Sequence, residues 1–379
     1  MSLQLSDEQR SLVATVREFA ARECSSREQR LALTDGGRSH TNLEIARKMA
    51  DLGFLGLSIP EEYGGSGGGL FDACLFLEEL AYNRIPLGSF GVTLIVAHMY
   101  LSFAGEDLKK EILGAVVAGM PTAVAMSEPG SGSDVASLRC RAEPVDGGYR
   151  INGQKTWISN AHISDHIMLV ARTADTGQKH HGITMLSVPT STPGIEIRPI
   201  ATMGLEVNDV FFTDCVVGAD RLVGVEGQGW QQLILGLNTE RVIVGALALG
   251  QARRAFDDTL TYVTQREQFG RPVGSFQALS HRLADLATEI EVTRLLVHDV
   301  AQRVDENPGK LMPREASMVK LKATELAKLA ALEGMQMMGG MGYTEEAGME
   351  EQLRATVVGT VVGGTSEIQR DIIAKTFGL

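Results

Sequence analysis

Surplus positive charge, clustered cysteine and long apolar runs are all missing from this chain. Its 379 residues carry 35 Lys and Arg against 47 Asp and Glu, a formal net charge of −12. A surface that grips a phosphate backbone shows as clustered Lys and Arg, so this balance argues against nucleic acid as a partner. Any anionic ligand must be held locally. The four cysteines, Cys24, Cys74, Cys140 and Cys215, lie far apart, with no C-x-x-C pair and no histidine at metal-ligand spacing beside them. They read as reduced, partly buried thiols. His180 and His181 fall in the polar stretch DTGQKHHG and read as an exposed loop, so no metal is expected.

No uninterrupted run approaches the about 20 apolar residues needed to cross a bilayer. The N-terminus, MSLQLSDEQRSLVATVREFAAREC, mixes acids, bases and periodic apolar residues, unlike a secretory leader. It reads as an amphipathic helix of the mature fold, and the whole as soluble and cytoplasmic. The length suffices for a sizeable core in two or three packed units, without staples.

What is present changes texture twice along the chain. From Leu5 to about Gly119 apolar residues recur at three- and four-residue spacing, which predicts helices, and Ser6 with Gln9 reads as a capping pair. The glycine run Tyr63 to Gly69 reads as a loop; no strand precedes it, so it is not taken as a dinucleotide fingerprint. Between Thr122 and Gly229 come short β-rich runs such as HIMLVART and GITMLSVP. Asp146-Gly147-Gly148 and Asn152-Gly153 read as hairpin-type turns, and the segment as an antiparallel barrel or sandwich. From Trp230 onward the helical period returns in three long segments, which predicts a bundle.

Five motifs stand in register with this succession. They are Ala125-Met126-Ser127-Glu128-Pro129-Gly130-Ser131-Gly132-Ser133-Asp134, Gln154-Lys155-Thr156-Trp157-Ile158-Ser159-Asn160, Arg266-Glu267-Gln268-Phe269-Gly270, the run Gln336 to Tyr343, and Gly364-Thr365-Ser366-Glu367-Ile368-Gln369-Arg370. Singly each has a bland reading: a capped Gly/Ser turn, a core tryptophan, a solvated arginine. Together they resemble the acyl-CoA dehydrogenase family over essentially the whole chain.

The resemblance implies an α+β multidomain chain with the acyl-CoA dehydrogenase fold. An N-terminal α-helical domain would cover 1–121, a middle antiparallel β-barrel domain 122–229, and a C-terminal four-helix bundle 230–379. It implies FAD as cofactor, with Met126, Ser127, Trp157 and Ser159 beside the flavin of their own subunit. Arg266, Gln268, Phe269, Gln277 and the run Gln336 to Gly340, with Gly339 in it, would bind the dinucleotide part across a subunit interface. Thr365 and Glu367 complete that site. Met337, Met338 and Met341 read as packing residues near the cofactor loop.

In many family members the position of Gly363 carries the glutamate that removes the substrate's α-proton. Gly363 can offer only backbone, and by the resemblance its amide helps hold the thioester oxygen. Glu240, in the apolar setting LILGLNTERVIVGALALG, is the substitute: such surroundings raise a carboxyl's pKa toward that of a working base. Glu240 with Gly363 resembles the subset that includes isovaleryl-CoA and long-chain acyl-CoA dehydrogenases. Ser133, Asn238, Arg241, Gly363 and Gly364 are implied on the substrate side.

Glycine at 363 and valine at 362 leave room for a branched, long or bulky acyl chain, and the apolar stretch Gly91 to Val96 reads as pocket wall or core without an arginine for a terminal carboxylate. The chain departs from the family at Glu351 and at Arg354-Ala355, where a basic residue and an Arg-Asp pair are usual. The expected activity is dehydrogenation of an acyl-CoA to a trans-2-enoyl-CoA, with electrons passed to an electron-transferring flavoprotein by a homotetramer, a dimer of dimers. A flavin oxidase or monooxygenase, a dehydrogenase of carrier-protein-bound acyl groups, and a non-catalytic thioester-binding paralogue are the competing readings.

Overall fold

The computed structural model describes residues 4–379. Met1 to Leu3, the start of the segment read as an N-terminal amphipathic helix, lie outside the described residues. In chain order come α1 (Asp7–Glu23), α2 (Arg27–Leu33), α3 (Leu43–Asp51), α4 (Leu70–Tyr82), α5 (Phe90–Phe103) and α6 (Glu106–Val117). Strands follow: β1 (Ala123–Ala125), β2 (Arg141–Val145), β3 (Gly148–Ser159), β4 (His166–Arg172), β5 (Ile183–Pro189), β6 (Ile195–Ile200), β7 (Val207–Gly218) and β8 (Leu222–Val223). Then come α7 (Gly229–Gln265), the hairpin β9 (Glu267–Gln268) and β10 (Arg271–Pro272), α8 (Gln277–Glu306), α9 (Pro313–Met338), α10 (Met349–Val357) and α11 (Ser366–Lys375). The chain divides into two compact units: Met1–Arg38, Gly69–Pro86 and Asn238–Leu379 form one, Ser39–Gly68 and Leu87–Leu237 the other.

The first unit is helical. The Ser6 hydroxyl accepts from the Gln9 amide while the Gln9 side chain returns to the Ser6 amide, so α1 starts with the capping box read from the sequence. Helix α9 is the hub, packing against α8, α10 and α11. A Cβ on Gly245 of α7 would come within 2.3 Å of Val319 on α9, so glycine there permits the close approach of the two helices. Glu351, where the family has a basic residue, pairs with Arg84, and Arg354 pairs with Glu350 at 2.7 Å on its own helix. The departure thus comes with its own compensating ion pair. Helix α7 is the one described helix long and apolar enough to cross a bilayer, and 56% of its most apolar stretch is buried within the fold, as in a core helix.

The second unit carries an eight-stranded sheet of order β6-β7-β3-β2-β4-β5-β8, with β1 joined to β4. Strands β4 and β5 are buried almost throughout, whereas β2 alternates at its start, as expected for strands covered on both faces and on one face. The core beneath the sheet includes Ile151, Leu169, Leu186, Val188 and Phe212. Most pairings are antiparallel, but β1 and β2 both run parallel to β4. Asp146-Gly147 forms the tight β2–β3 turn, Val145 facing Gly148. Asn152-Gly153 is not a second hairpin. The strand runs on, and the register against β7 slips between Ile151 and Gly153. At φ +151°, with a hypothetical Cβ only 2.8 Å from Cys140, Gly153 serves a β-bulge instead. All four cysteines are buried free thiols.

Helix α4 contributes a buried carboxylate to the first unit. Glu78 accepts from His298 at 2.7 Å and from Arg253, while Glu79 accepts from Arg17 at 2.7 Å. Burial opposes ionisation of Glu78, but His298 and Arg253 overcome it and hold the carboxyl below its ordinary value of 4.5. Such a group adds stability above its unfolded pKa and loses it as pH falls through the lower folded one. We expect Glu78→Gln to lower the unfolding free energy at pH 7 by on the order of 3 kcal/mol. The gap to wild type should close as denaturation is repeated at pH values progressively below 4.5.

Candidate active site

In the second unit, the loop from Met126 to Glu128 is tied to strand β3. Lys155, fully buried, donates to the Met126 carbonyl at 2.8 Å and to Glu128 Oε1 at 2.9 Å. The Glu128 carboxylate also accepts from the amides of Arg139 and Cys140, at 2.7 and 2.8 Å. The Thr156 amide donates to the Ser127 carbonyl at 3.0 Å. These bonds fix the backbone of Met126 and Ser127 without using their side chains.

The next residue, Trp157, sits where the β3–β7 register slips again, at φ +63° and 60% exposed. A bulge re-aims a side chain, and left-handed backbone is costly for a bulky residue. The strand therefore spends conformational energy to hold an indole out of the core. Ser159 is half-buried at the end of the same strand, and Ser133 is exposed in the Gly/Ser turn.

In the first unit, Glu240, Asn238 and Arg241 share one stretch of α7, with Glu240 directed at the loop before α11. A Cβ on Gly363 would lie 3.3 Å from Glu240 Oε1 and 3.9 Å from Val244, and Gly363 and Gly364 have φ of +63° and +84°. Both carbonyls of this turn are held: Gln369 Nε2 donates to each at 3.0 Å, and Lys320 of α9 donates to that of Gly364 at 2.7 Å. Thr365 caps α11, its hydroxyl accepting from the Ile368 amide, and Glu367 lies in the first turn.

Glu240 Oε2 and Arg241 Nε are buried without hydrogen-bond partners. Burial pushes the Glu240 carboxyl above the usual range, and the charges of Arg241 and Lys320 only partly offset this. Burial likewise lowers Lys320, to about 8. A carboxyl that resists ionisation, keeps a buried oxygen without a hydrogen-bond partner and faces a glycine is in a setting that suits an acid–base group.

The remaining sequence-predicted cofactor residues are surface groups of the same unit. Arg266, Gln268, Phe269 and Gln277 are exposed around the β9–β10 hairpin, and Gln336, Gly339 and Gly340 are exposed at the end of α9. Among the described residues no hydrogen bond joins the two groups. Phe269 is 93% exposed at φ +54°, its ring edge-on to that of Phe276 with centroids 6.1 Å apart. Met337 and Met338 are buried, while Met341 is exposed.

Sequence reasoning did not single out Lys155, Glu128, Lys320 or Gln369. Glu128, Lys155 and Gln369 lie inside quoted motifs, and for the three charged residues the signal available was a charge in an otherwise apolar or small-residue string.

Residues 6–120 match the N-terminal domain of acyl-CoA dehydrogenases, 123–215 the middle domain and 227–378 the C-terminal domain. The chain belongs to the acyl-CoA dehydrogenase family. It is similar to the mitochondrial 2-methylacyl-CoA dehydrogenase of Solanum tuberosum, 34% identical over 99% of this chain and 91% of that protein. Among solved structures it resembles an acyl-CoA dehydrogenase from Geobacillus kaustophilus, with a TM-score of 0.92, 33% identity and full coverage of both chains. It also resembles PigA in its FAD complex, with a TM-score of 0.93, 27% identity and full coverage of both chains. As a family member the protein is an FAD-dependent oxidoreductase. Its own residues fit such a group: Trp157 and Phe269 are held exposed at energetic cost, and the Met126–Ser127 backbone is braced beside the first.

The raised Glu240 pKa has a sign for stability. Between the unfolded value near 4.5 and the higher folded one the native state binds the extra proton, so its contribution to stability is lost as pH rises through the folded value. Glu240→Gln should therefore raise the unfolding free energy above neutral pH, by about 1.4 kcal/mol for each pH unit separating the two values. The gain should vanish below pH 4.5 in a calorimetric pH series.

Proposed function

We propose that the protein oxidises a short branched acyl-CoA to the trans-2-enoyl thioester, with Glu240 as the base that removes the α-proton. The observation that carries this reading is the contact of the Glu240 carboxylate with the position where a Gly363 side chain would stand. A glutamate at 363 would crowd Glu240, so the two positions read as alternatives for one carboxylate. Similarity to the potato 2-methylacyl-CoA dehydrogenase supports the branched class of substrate.

In this reading the α-proton passes to the Glu240 carboxylate, whose Oε1 faces Gly363 and whose Oε2 has no protein hydrogen-bond partner. A raised pKa makes the carboxylate a stronger base, and the charges of Arg241 and Lys320 favour its ionised form. The Gly363 amide takes the thioester oxygen, stabilising the charge that develops as the proton leaves. FAD, when bound, would supply the acceptor for the β-hydrogen and its electron pair. Met126, Ser127, Trp157, Ser159, Thr365 and Glu367 would hold the flavin, with Arg266, Gln268, Phe269, Gln277, Gln336, Gly339 and Gly340 on the dinucleotide part of a neighbouring subunit's cofactor. Ser133, Asn238, Arg241 and Gly364 line the substrate side. An electron-transferring flavoprotein then takes the electrons from a homotetramer, and the three-part division at 122 and 230 belongs to the same reading.

Anaerobic addition of an acyl-CoA panel to the FAD-loaded protein should bleach the flavin fastest with 2-methylbutanoyl- or isovaleryl-CoA. Glu240→Gln should retain FAD and bleach at least about a thousandfold more slowly, the scale of losing a positioned acid–base group. Fast bleaching in that variant contradicts the assignment. Bleaching only by carrier-protein thioesters, or oxygen consumption without an added acceptor, contradicts the choice of substrate or of reaction.

A further inference from the structure

The structure contains one buried cation beside Glu240 that the reading above uses only as background charge. Lys320 lies on α9 with no solvent exposure, and its ammonium donates to the Gly364 carbonyl at 2.7 Å. Burying an ammonium is costly unless it is bonded and compensated. Here the bond goes to a backbone oxygen, and the charges that support it are Glu240 on α7, Glu325 on α9 itself and Glu367 on α11, with Arg241 opposing. Nothing in simple helix packing requires a lysine at such a position.

A peptide unit is planar and trans, so fixing one carbonyl fixes the amide on its far side. Gln369 fixes the carbonyls of Gly363 and Gly364, and Lys320 fixes the second again. Together they hold a turn whose two positive φ values are otherwise free for glycine to leave. A shift of that turn moves the backbone at 363 relative to the Glu240 carboxylate.

We propose that Lys320 is a positioning residue for α-proton removal: through the Gly364 carbonyl it locks the Gly363–Gly364 turn against Glu240. The proposal rests on Glu240 being the base. Because burial brings the ammonium down to about 8, the charge-assisted bond weakens to that of a neutral donor above that pH.

The test uses FAD-loaded protein reduced with dithionite, so that hydride transfer is blocked, and follows exchange of the α-hydrogen of 2-methylbutanoyl-CoA, or the fastest-bleaching panel member, with D2O by mass spectrometry. Lys320→Met should keep stoichiometric FAD and a KM in turnover within about threefold of wild type, yet exchange at least about tenfold more slowly. The wild-type fall in exchange above pH 8 should be absent from it. Lys320→Gln, which keeps a donor for the Gly364 carbonyl without the charge, should recover much of the rate at pH 7 and still lack the fall.

A wild-type rate and pH profile in Lys320→Met overturns the proposal. So does parallel loss of FAD and exchange in both variants, which a merely structural role would give. If Lys320→Met does not fold, a wild-type pH profile in Lys320→Gln overturns it alone. Glu240→Gln separates the two assignments: its exchange should be abolished whatever Lys320 does, and retained exchange there removes the base itself. Absence of exchange by the wild type with every panel member removes both.

Discussion

The first unit is organised around a competition for space between the Glu240 carboxyl and residue 363. A single carbon added to Gly363 would stand 3.3 Å from Glu240 Oε1, on a backbone already at φ +63°. Glycine satisfies both demands, since it needs no room and accepts the left-handed conformation. Other features follow from keeping that gap: the close α7–α9 crossing at Gly245, the double grip of Gln369, and a buried lysine one residue from Val319. The arrangement is costly to the fold, because a carboxyl with a buried, unbonded oxygen destabilises the state that contains it. Such a cost is tolerable at a site whose chemistry uses it.

Each unit uses a buried lysine in the same way. Lys155 holds the Met126 carbonyl and Lys320 the Gly364 carbonyl, both with no solvent exposure. An ammonium clamping a backbone oxygen fixes a loop while leaving its side chains and amides free for ligand. It differs from the Glu78–His298–Arg253 cluster, where charges pair with one another and the product is stability.

The sequence made some of this legible because those features are local. Ser6 and Gln9 lie three residues apart and cap their own helix, and Asp146-Gly147 turns its own strand pair. Glu240 stood out because a lone acid in an apolar string must find an unusual environment wherever it lands. Asn152-Gly153 misled because the same dipeptide suits a hairpin or a bulge, and the choice depends on Cys140, which a local reading cannot see. Lys320 was hidden more thoroughly. It shares α9 with Lys322 and Lys328, and only the close approach of α7 at Gly245 and the packing of α11 distinguish a clamp from a solvated stem.

If the two positions truly share one carboxylate, it should be transferable. The most direct measurement is flavin bleaching by the best acyl-CoA in the double variant Glu240→Gly, Gly363→Glu, compared with Glu240→Gly alone. The account predicts that the single variant is inert and that the double variant regains at least about tenfold in rate, reduced from wild type by left-handed strain of about 1–2 kcal/mol at 363. A double variant no faster than the single one, with FAD still bound, would contradict it.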